Sequence, residues 1–383
     1  MAGYGALSVV LVLYLDALGF DGVTIGIVLT LTLLGDTALS LWLTTHADRF
    51  GRRRVLLVGA LLMAGAGLVF AGTDVVVLLL VAATIGVISP SGNEVGPFLA
   101  VEQAALSQAV PDDRRTSVFA WYNLAGSVAT AFGALGAGLA VGALLAAGLT
   151  DIDAYRVVLV GYALVGLVIA VIVRGIGDEV EAPRPTAETI VGRLGLHRSR
   201  GTVFRLSALF SLDAFGGGMV MQSLLAFWFH TTYGVPAATL GAIFFAANLL
   251  AAASALAAGR IAARIGLINT MVFTHLPSNV LLILVPLMPT VELAIAVLLV
   301  RFSISQMDVP TRQSYTMSVV DPDERSAAAG VTGIARTTGA AISPNLAAPL
   351  YAIPGLAFLP FVIAGSLKIA YDLALWRAFR SRQ

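Results

Sequence analysis

The sequence predicts an all-α polytopic membrane protein, with twelve transmembrane helices in two pseudo-symmetric six-helix bundles and a first helix short at its N-terminus. Three observations predict it. The 383 residues are 58% hydrophobic and only 12% charged, about half the charge of a soluble domain. The apolar residues gather into twelve runs, each near or above the roughly 20 residues that cross a bilayer core as a helix. The punctuation between runs also repeats at half-chain period, as expected of a duplicated membrane fold.

In order, the runs cover residues 2–19, 22–46, 55–72, 75–105, 116–146, 155–175, 204–230, 236–262, 268–288, 291–318, 326–350 and 353–376. Nineteen of the 23 basic residues fall at or beside the turns after segments 2, 4, 6, 8 and 10 and at the C-terminus. That asymmetry puts both termini in the cytoplasm. The longest non-membrane stretch, residues 176–203, contains proline and charge and reads as a cytoplasmic linker. It separates an N-terminal bundle, residues 1–175, from a C-terminal one, residues 204–383.

Between the halves, Thr44–Gly51 lies over Gly259–Gly266, and Gly19 and Gly26 lie over Gly234 and Gly241. Pro111-Asp112-Asp113-Arg114 lies over Pro322-Asp323-Glu324-Arg325, and Glu102-Gln103 over Arg312-Gln313. Met1 falls opposite Gly216, so segment 1 lacks about a dozen residues at its cytoplasmic end by the logic of the repeat.

Composition excludes several functions. Net charge is +1, so bulk charge offers nucleic acid nothing. There is no cysteine, hence no disulfide, thiolate metal site or cysteine nucleophile. Four scattered histidines give no metal-ligand spacing. Neither a nucleotide loop nor a nucleophile–base pair is visible, so no enzyme, metal or cofactor is expected. The first run has neither a basic leader nor a small-residue cleavage site, and no cleavable signal peptide is expected. Lys368 is the single lysine; the arginine excess reads as GC-rich coding bias.

Segments 2 and 3 are joined by a short turn within Thr44–Arg54, carrying Asp48 and Arg49, Arg52, Arg53 and Arg54. This D-R-x-G-R-R string resembles the cytoplasmic loop signature of the major facilitator superfamily of secondary transporters, of bacterial or archaeal type. Asp48, Arg49, Gly51, Arg52 and Arg53 match the pattern; Thr44 stands where the pattern has glycine. The resemblance implies a conformational switch. Asp48 would sit near the N-terminus of helix 11, whose dipole attracts a carboxylate. Arg52 would tie it to helix 4, where Glu102 is the nearest acid. The resemblance also implies that helices 1, 4, 7 and 10 line a central cavity.

Charges within the apolar segments carry the functional reading. Asp36, Glu94, Asp213, Arg301, Asp308 and Arg336 all lie at hydrocarbon depth, where each costs roughly 3 kcal/mol. They must face water or one another. Glu94, Asp213, Arg301 and Asp308 fall on the cavity-lining set, with Asn93 and Gln222 as further candidates. Arg301, Ser305, Asp308 and Arg312 share one helical stripe. Residues 90–94 should bend segment 4, and Gly216-Gly217-Gly218 should loosen segment 7. Asp213 or Glu94 is expected to carry a proton, with Arg301 as the competing partner. Asp36 and Arg336 read as a gating pair across the seam between halves. Lys368 and Asp372 read as a snorkelling pair on an outer helix.

The expected protein is therefore a monomeric, multi-pass secondary transporter of the cytoplasmic membrane. It moves a small organic solute by rocker-switch alternating access, coupled to a proton or another cation. Export of amphipathic compounds is the leading direction and uptake of a metabolite the alternative. Two antiporter features are missing, an arginine early in helix 4 and a Gly-Pro pair in helix 5. A non-transporting receptor or scaffold, or a lipid flippase, is the rival of another class.

Overall fold

The computed structural model describes residues 1–92, 98, 101–102, 106, 110–177, 181, 197–321 and 324–379; the side chains of residues 44–49, 112–117, 119–120 and 326 are outside that description. Among the described residues the regular structure is helical throughout. The helices are α1 Ala2–Ala17, α2 Gly22–Phe50, α3 Arg52–Gly72, α4 Val76–Ile85, α5 Asp112–Ala146, α6 Asp151–Arg174, α7 Arg200–Met219 and α8 Gln222–Tyr233. They continue as α9 Ala237–Ile265, α10 Leu267–Leu284, α11 Val291–Ser305, α12 Asp308–Ser318, α13 Arg325–Ile342, α14 Pro344–Ala352 and α15 Leu359–Phe379. Segments 7, 10 and 11 are each two helices end to end, α7–α8, α11–α12 and α13–α14. Among the described residues, nine stretches are long and apolar enough to cross a membrane, with α1 and α4 shorter apolar helices.

The duplicated sequence marks are duplicated backbone marks. Gly19 and Gly234 have φ of +81° and +68°, and Gly51 and Gly266 have φ of +94° and +85°. At all four the chain leaves one helix for the next in the left-handed region, where a Cβ is penalised. Gly26 and Gly241 share another task, at the seam between bundles. An added Cβ would stand 2.9 Å from the Asn345 Cα at Gly26 and 2.7 Å from the Ala134 carbonyl oxygen at Gly241. Small residues therefore let α2 close on α14 and α9 on α5. Phe132 and Phe245 extend the α5–α9 seam with rings 5.1 Å apart.

Helix α1 runs through the middle of the molecule against α5, α6 and α8. Its residues from Leu7 to Leu15 are all buried, which explains a helix apolar all round rather than on one stripe.

Candidate functional site

Segments 4, 7 and 10 break where they approach the centre. In segment 4, α4 ends at Ile85 and residues 86–92 run on without helix. In segment 7 the break is at Val220–Met221, where Met221 is extended. In segment 10 it is at Gln306–Met307. Backbone groups freed at such depth need partners, and the first two breaks supply each other: the Ser223 amide donates to the Pro90 carbonyl at 3.2 Å.

A polar strip crosses between the bundles at the same place. Gln222 Nε2 donates to Ser8 Oγ at 2.6 Å, and Asn248 Nδ2 donates to Gln222 Oε1 at 3.3 Å. On the first bundle's side, Thr130 Oγ1 donates to the Gly92 carbonyl at 3.4 Å.

The charges gather elsewhere, inside the second bundle, where α7, α10, α12 and α15 meet. Lys368 Nζ donates to Asp213 Oδ1 at 2.6 Å. Arg312 Nη1 lies between two carboxylates, 3.3 Å from Asp213 Oδ2 and 2.9 Å from Asp308 Oδ2. His275 Nδ1 is 2.9 Å from Asp372 Oδ1, and its Nε2 is 3.7 Å from Asp213 Oδ1. Asn279 Nδ2 donates to Asp372 Oδ2 at 2.9 Å. Every one of these ionisable residues is buried, from 0% exposed at Asp372 to 6% at Lys368. Isolated ions at that depth would be prohibitive, so the network exists because each charge has an opposite neighbour.

At the arginine-rich end, two glutamates clasp backbone amides. Glu181 accepts from the amides of Arg52, at 2.7 Å, and Arg53, at 3.2 Å, the first two residues of α3. The Arg53 guanidinium donates to the Arg174 carbonyl. Gly51 caps this start with its left-handed φ, and a Cβ there would meet Glu181 Oε1 at 3.1 Å. Glu324 accepts from His197 and Arg198 at 2.7 Å each and from Ser199 at 2.9 Å, just before α7. Burial works against that charge, but the three amides win and hold the carboxyl down to about 2.

The sequence profile of the Major Facilitator Superfamily matches residues 1–344. An uncharacterised membrane protein of Saccharomyces cerevisiae is 31% identical, over 98% of this chain and 90% of its own length. Among solved structures, the nucleoside transporter NupG superposes with a TM-score of 0.77 at 13% identity, over 99% of this chain and 96% of its own. A D-xylose-proton symporter does so with 0.75 at 14%, over 98% and 94%. The chain belongs to the major facilitator superfamily. It is a multi-pass membrane protein built as a secondary transporter.

Against this major facilitator fold, the predicted residues divide. Asp213, Asp308 and Arg312 are brought together, and Gln222 lies on the strip between bundles. Arg301 is buried on α11, but the atoms contacting Asp213 belong to Lys368, Arg312 and His275. The Arg301 guanidinium instead lies 5.1 Å over the Phe302 ring, and its Nε has no hydrogen-bond partner among the described residues. Glu102 accepts from the Tyr122 hydroxyl at 2.7 Å. Asp36 accepts from Ser40 Oγ at 3.4 Å, on a helix packed against the α13 that carries Arg336. Asn93, Glu94 and the side chains of Asp48 and Arg49 lie outside the described residues.

Two expectations are corrected. Lys368 and Asp372 are not a snorkelling pair: both are buried, because α15 turns them inward to Asp213 and His275. Gly216-Gly217-Gly218 is not the loose point of segment 7. It lies within α7, and a Cβ at Gly216 would meet Lys368 Cγ at 3.1 Å, so the glycines admit a neighbour. The sequence reading also passed over His275, Asn279, Ser8 and Asn248. Two polar pairs at i, i+4, His275/Asn279 and Lys368/Asp372, were the available signal.

Proposed function

We propose that this major facilitator is a proton-coupled transporter of a small organic solute, moving it by rocker-switch alternating access with export of amphipathic compounds as its leading direction. The observation that carries the reading is the bonding of Asp213. One carboxylate on a broken central helix holds Lys368 and Arg312 together, so its protonation would release Lys368 and leave Arg312 to Asp308 alone. Such a group can bias a two-state element. The body of residues 1–175 would rock against that of 204–383 about the 176–203 linker. The loop with Asp48, Arg49, Gly51, Arg52 and Arg53, with Glu102, would act as the switch, and Asp36 with Arg336 as a second gate. In this reading the protein is a monomer in the cytoplasmic membrane with both termini inside. The arginine excess supports a bacterial or archaeal type only as coding bias.

The strip Ser8–Gln222–Asn248 favours the second reading, uptake of a polar metabolite, since two amides and a hydroxyl are suited to hydroxylated solutes. Relatives of the same fold include a nucleoside transporter and a D-xylose-proton symporter. The test uses proteoliposomes with an imposed pH gradient and a panel of uridine, D-xylose and tetraphenylphosphonium. We expect one panel member to be driven by the gradient, and Asp213→Asn to abolish that drive while counterflow exchange continues. Gradient-driven movement at the unaltered rate in Asp213→Asn removes the proton role. Which panel member moves decides between export and uptake chemistry.

A further inference from the structure

We propose that His275 and Asp372 form a single proton-binding site, sealed within the second bundle and facing Asp213, and that this site holds the coupling proton before it passes to Asp213. The inference rests on the proton-coupled reading above and adds to it the atoms involved. An imidazole has two nitrogens, and here both face carboxylates: Nδ1 faces Asp372 at 2.9 Å and Nε2 faces Asp213 at 3.7 Å. Carboxylates only accept hydrogen bonds. A neutral imidazole can offer a proton to one of them and must turn a lone pair on the other. The arrangement is satisfied when one further proton is present, either on the second nitrogen or on Asp372, lying along the short Nδ1···Oδ1 line. Asn279 fits both placements. Its amide donates to Asp372 Oδ2 at 2.9 Å and lies 3.2 Å from Nδ1, so it steadies the pair wherever the proton sits.

The surroundings tie this proton to Asp213. From α7 comes Asp213; from α12 come Asp308 and Arg312; from α15 come Lys368, Tyr371 and Asp372. Farther out are Arg301 of α11 and Arg336 of α13, which feel Asp213 and Asp308 electrostatically. Arg260 and Arg264 stand in the last two turns of α9, which also packs on α10. Within the hydrogen-bonded and ion-paired set, three carboxylates face Lys368 and Arg312, so the set balances when the imidazole is charged. Histidine is also the member whose ordinary titration falls near neutral pH. Pro277 sits inside α10 between His275 and Asn279, removing the amide that would bond the Phe273 carbonyl and giving the helix a place to bend. Gain or loss of the proton at His275 therefore changes what Lys368 and Asp213 must do, across α7, α10 and α15.

The test reads the proton itself. The full chain, in lipid nanodiscs, carries isotope-labelled imidazoles; its four histidines are His46, His197, His230 and His275. Nuclear magnetic resonance follows the ring nitrogens of His275 across pH, in the native protein and in Asp372→Asn, a change that keeps the shape. We expect His275 to titrate as part of a pair, with its midpoint moving by about one pH unit or more in Asp372→Asn. A His275 that titrates like an isolated imidazole and ignores Asp372→Asn overturns the site. Asn279→Ala serves as the second variant if Asp372→Asn does not fold; it must alter the Nδ1 resonance and leave the His46 resonance unmoved. The two readings fail separately. If His275 moves with Asp372→Asn while Asp213→Asn keeps gradient-driven transport, the site stands as a titrating pair and its coupling role falls. If Asp213→Asn loses the drive while His275 ignores Asp372→Asn, this inference falls alone.

Discussion

An ammonium is a compact, strongly hydrated point charge, and Lys368 carries one to a buried carboxylate. Its stem passes over Gly216 and its nitrogen ends on Asp213. A guanidinium in the same track would be broader and flatter. Removing the cation should be costly, because Asp213 and Asp372 would then share fewer positive neighbours in a buried site. We expect Lys368→Met to lower stability by about 3–5 kcal/mol, seen as a large drop in the melting temperature in detergent. A melt within a degree of the native protein would show that Arg312 alone suffices. At this scale the sequence was half legible. Asp213 and Asp308 announced themselves as charges in apolar runs, and Arg312 by the stripe it shares with Asp308, but their partners on α10 and α15 depend on which way an outer helix turns. That orientation is set by contacts along the whole helix, and two polar residues do not reveal it.

At the scale of elements, the breaks and clasps show what local chemistry does and does not announce. Pro90-Ser91-Gly92 signalled the end of helix in segment 4, and at the Gln306–Met307 break Pro310, in the first turn of α12, lacks the amide that would bond the Gln306 carbonyl. The clasp of Glu324 on residues 197–199, by contrast, was silent, since it joins positions 125 to 127 apart. Its pH dependence follows from the lowered carboxyl. The folded value lies below that of the unfolded chain, so the stabilisation is fully present above the ordinary carboxylate range. It is lost as pH falls toward about 2. We expect Glu324→Gln to melt lower than the native protein at pH 6, with the gap closing as pH drops through 4 and below. A gap that stays constant with pH would mean that the glutamine keeps the same bonds.

For the whole molecule, the fold was the most legible part, because it rests on periodic and repeated features rather than on pairings. Twelve apolar runs give the spans, arginine asymmetry gives their orientation, and matched glycines point to duplicated bundles. The structure shows the glycines in matched use, at left-handed helix ends and at backbone contacts across the seam. What the repeat could not tell is that the charges are unequal between the halves. Among the described residues, the network of ion pairs lies in the second bundle, so two bodies alike in backbone differ in their electrostatics.

The chain's lone side-chain amine is locked away beside Asp213, with its side chain 8% exposed. This makes it an internal tell-tale for opening of the second bundle. A water-soluble succinimidyl ester should leave residue 368 unmodified in the resting protein, as read by peptide mass spectrometry. Conditions that part α15 from α7, whether acid, an imposed gradient or a transported solute, should expose it to acylation. Labelling that proceeds at the rate of a free amine in the resting state would show that the second bundle already breathes.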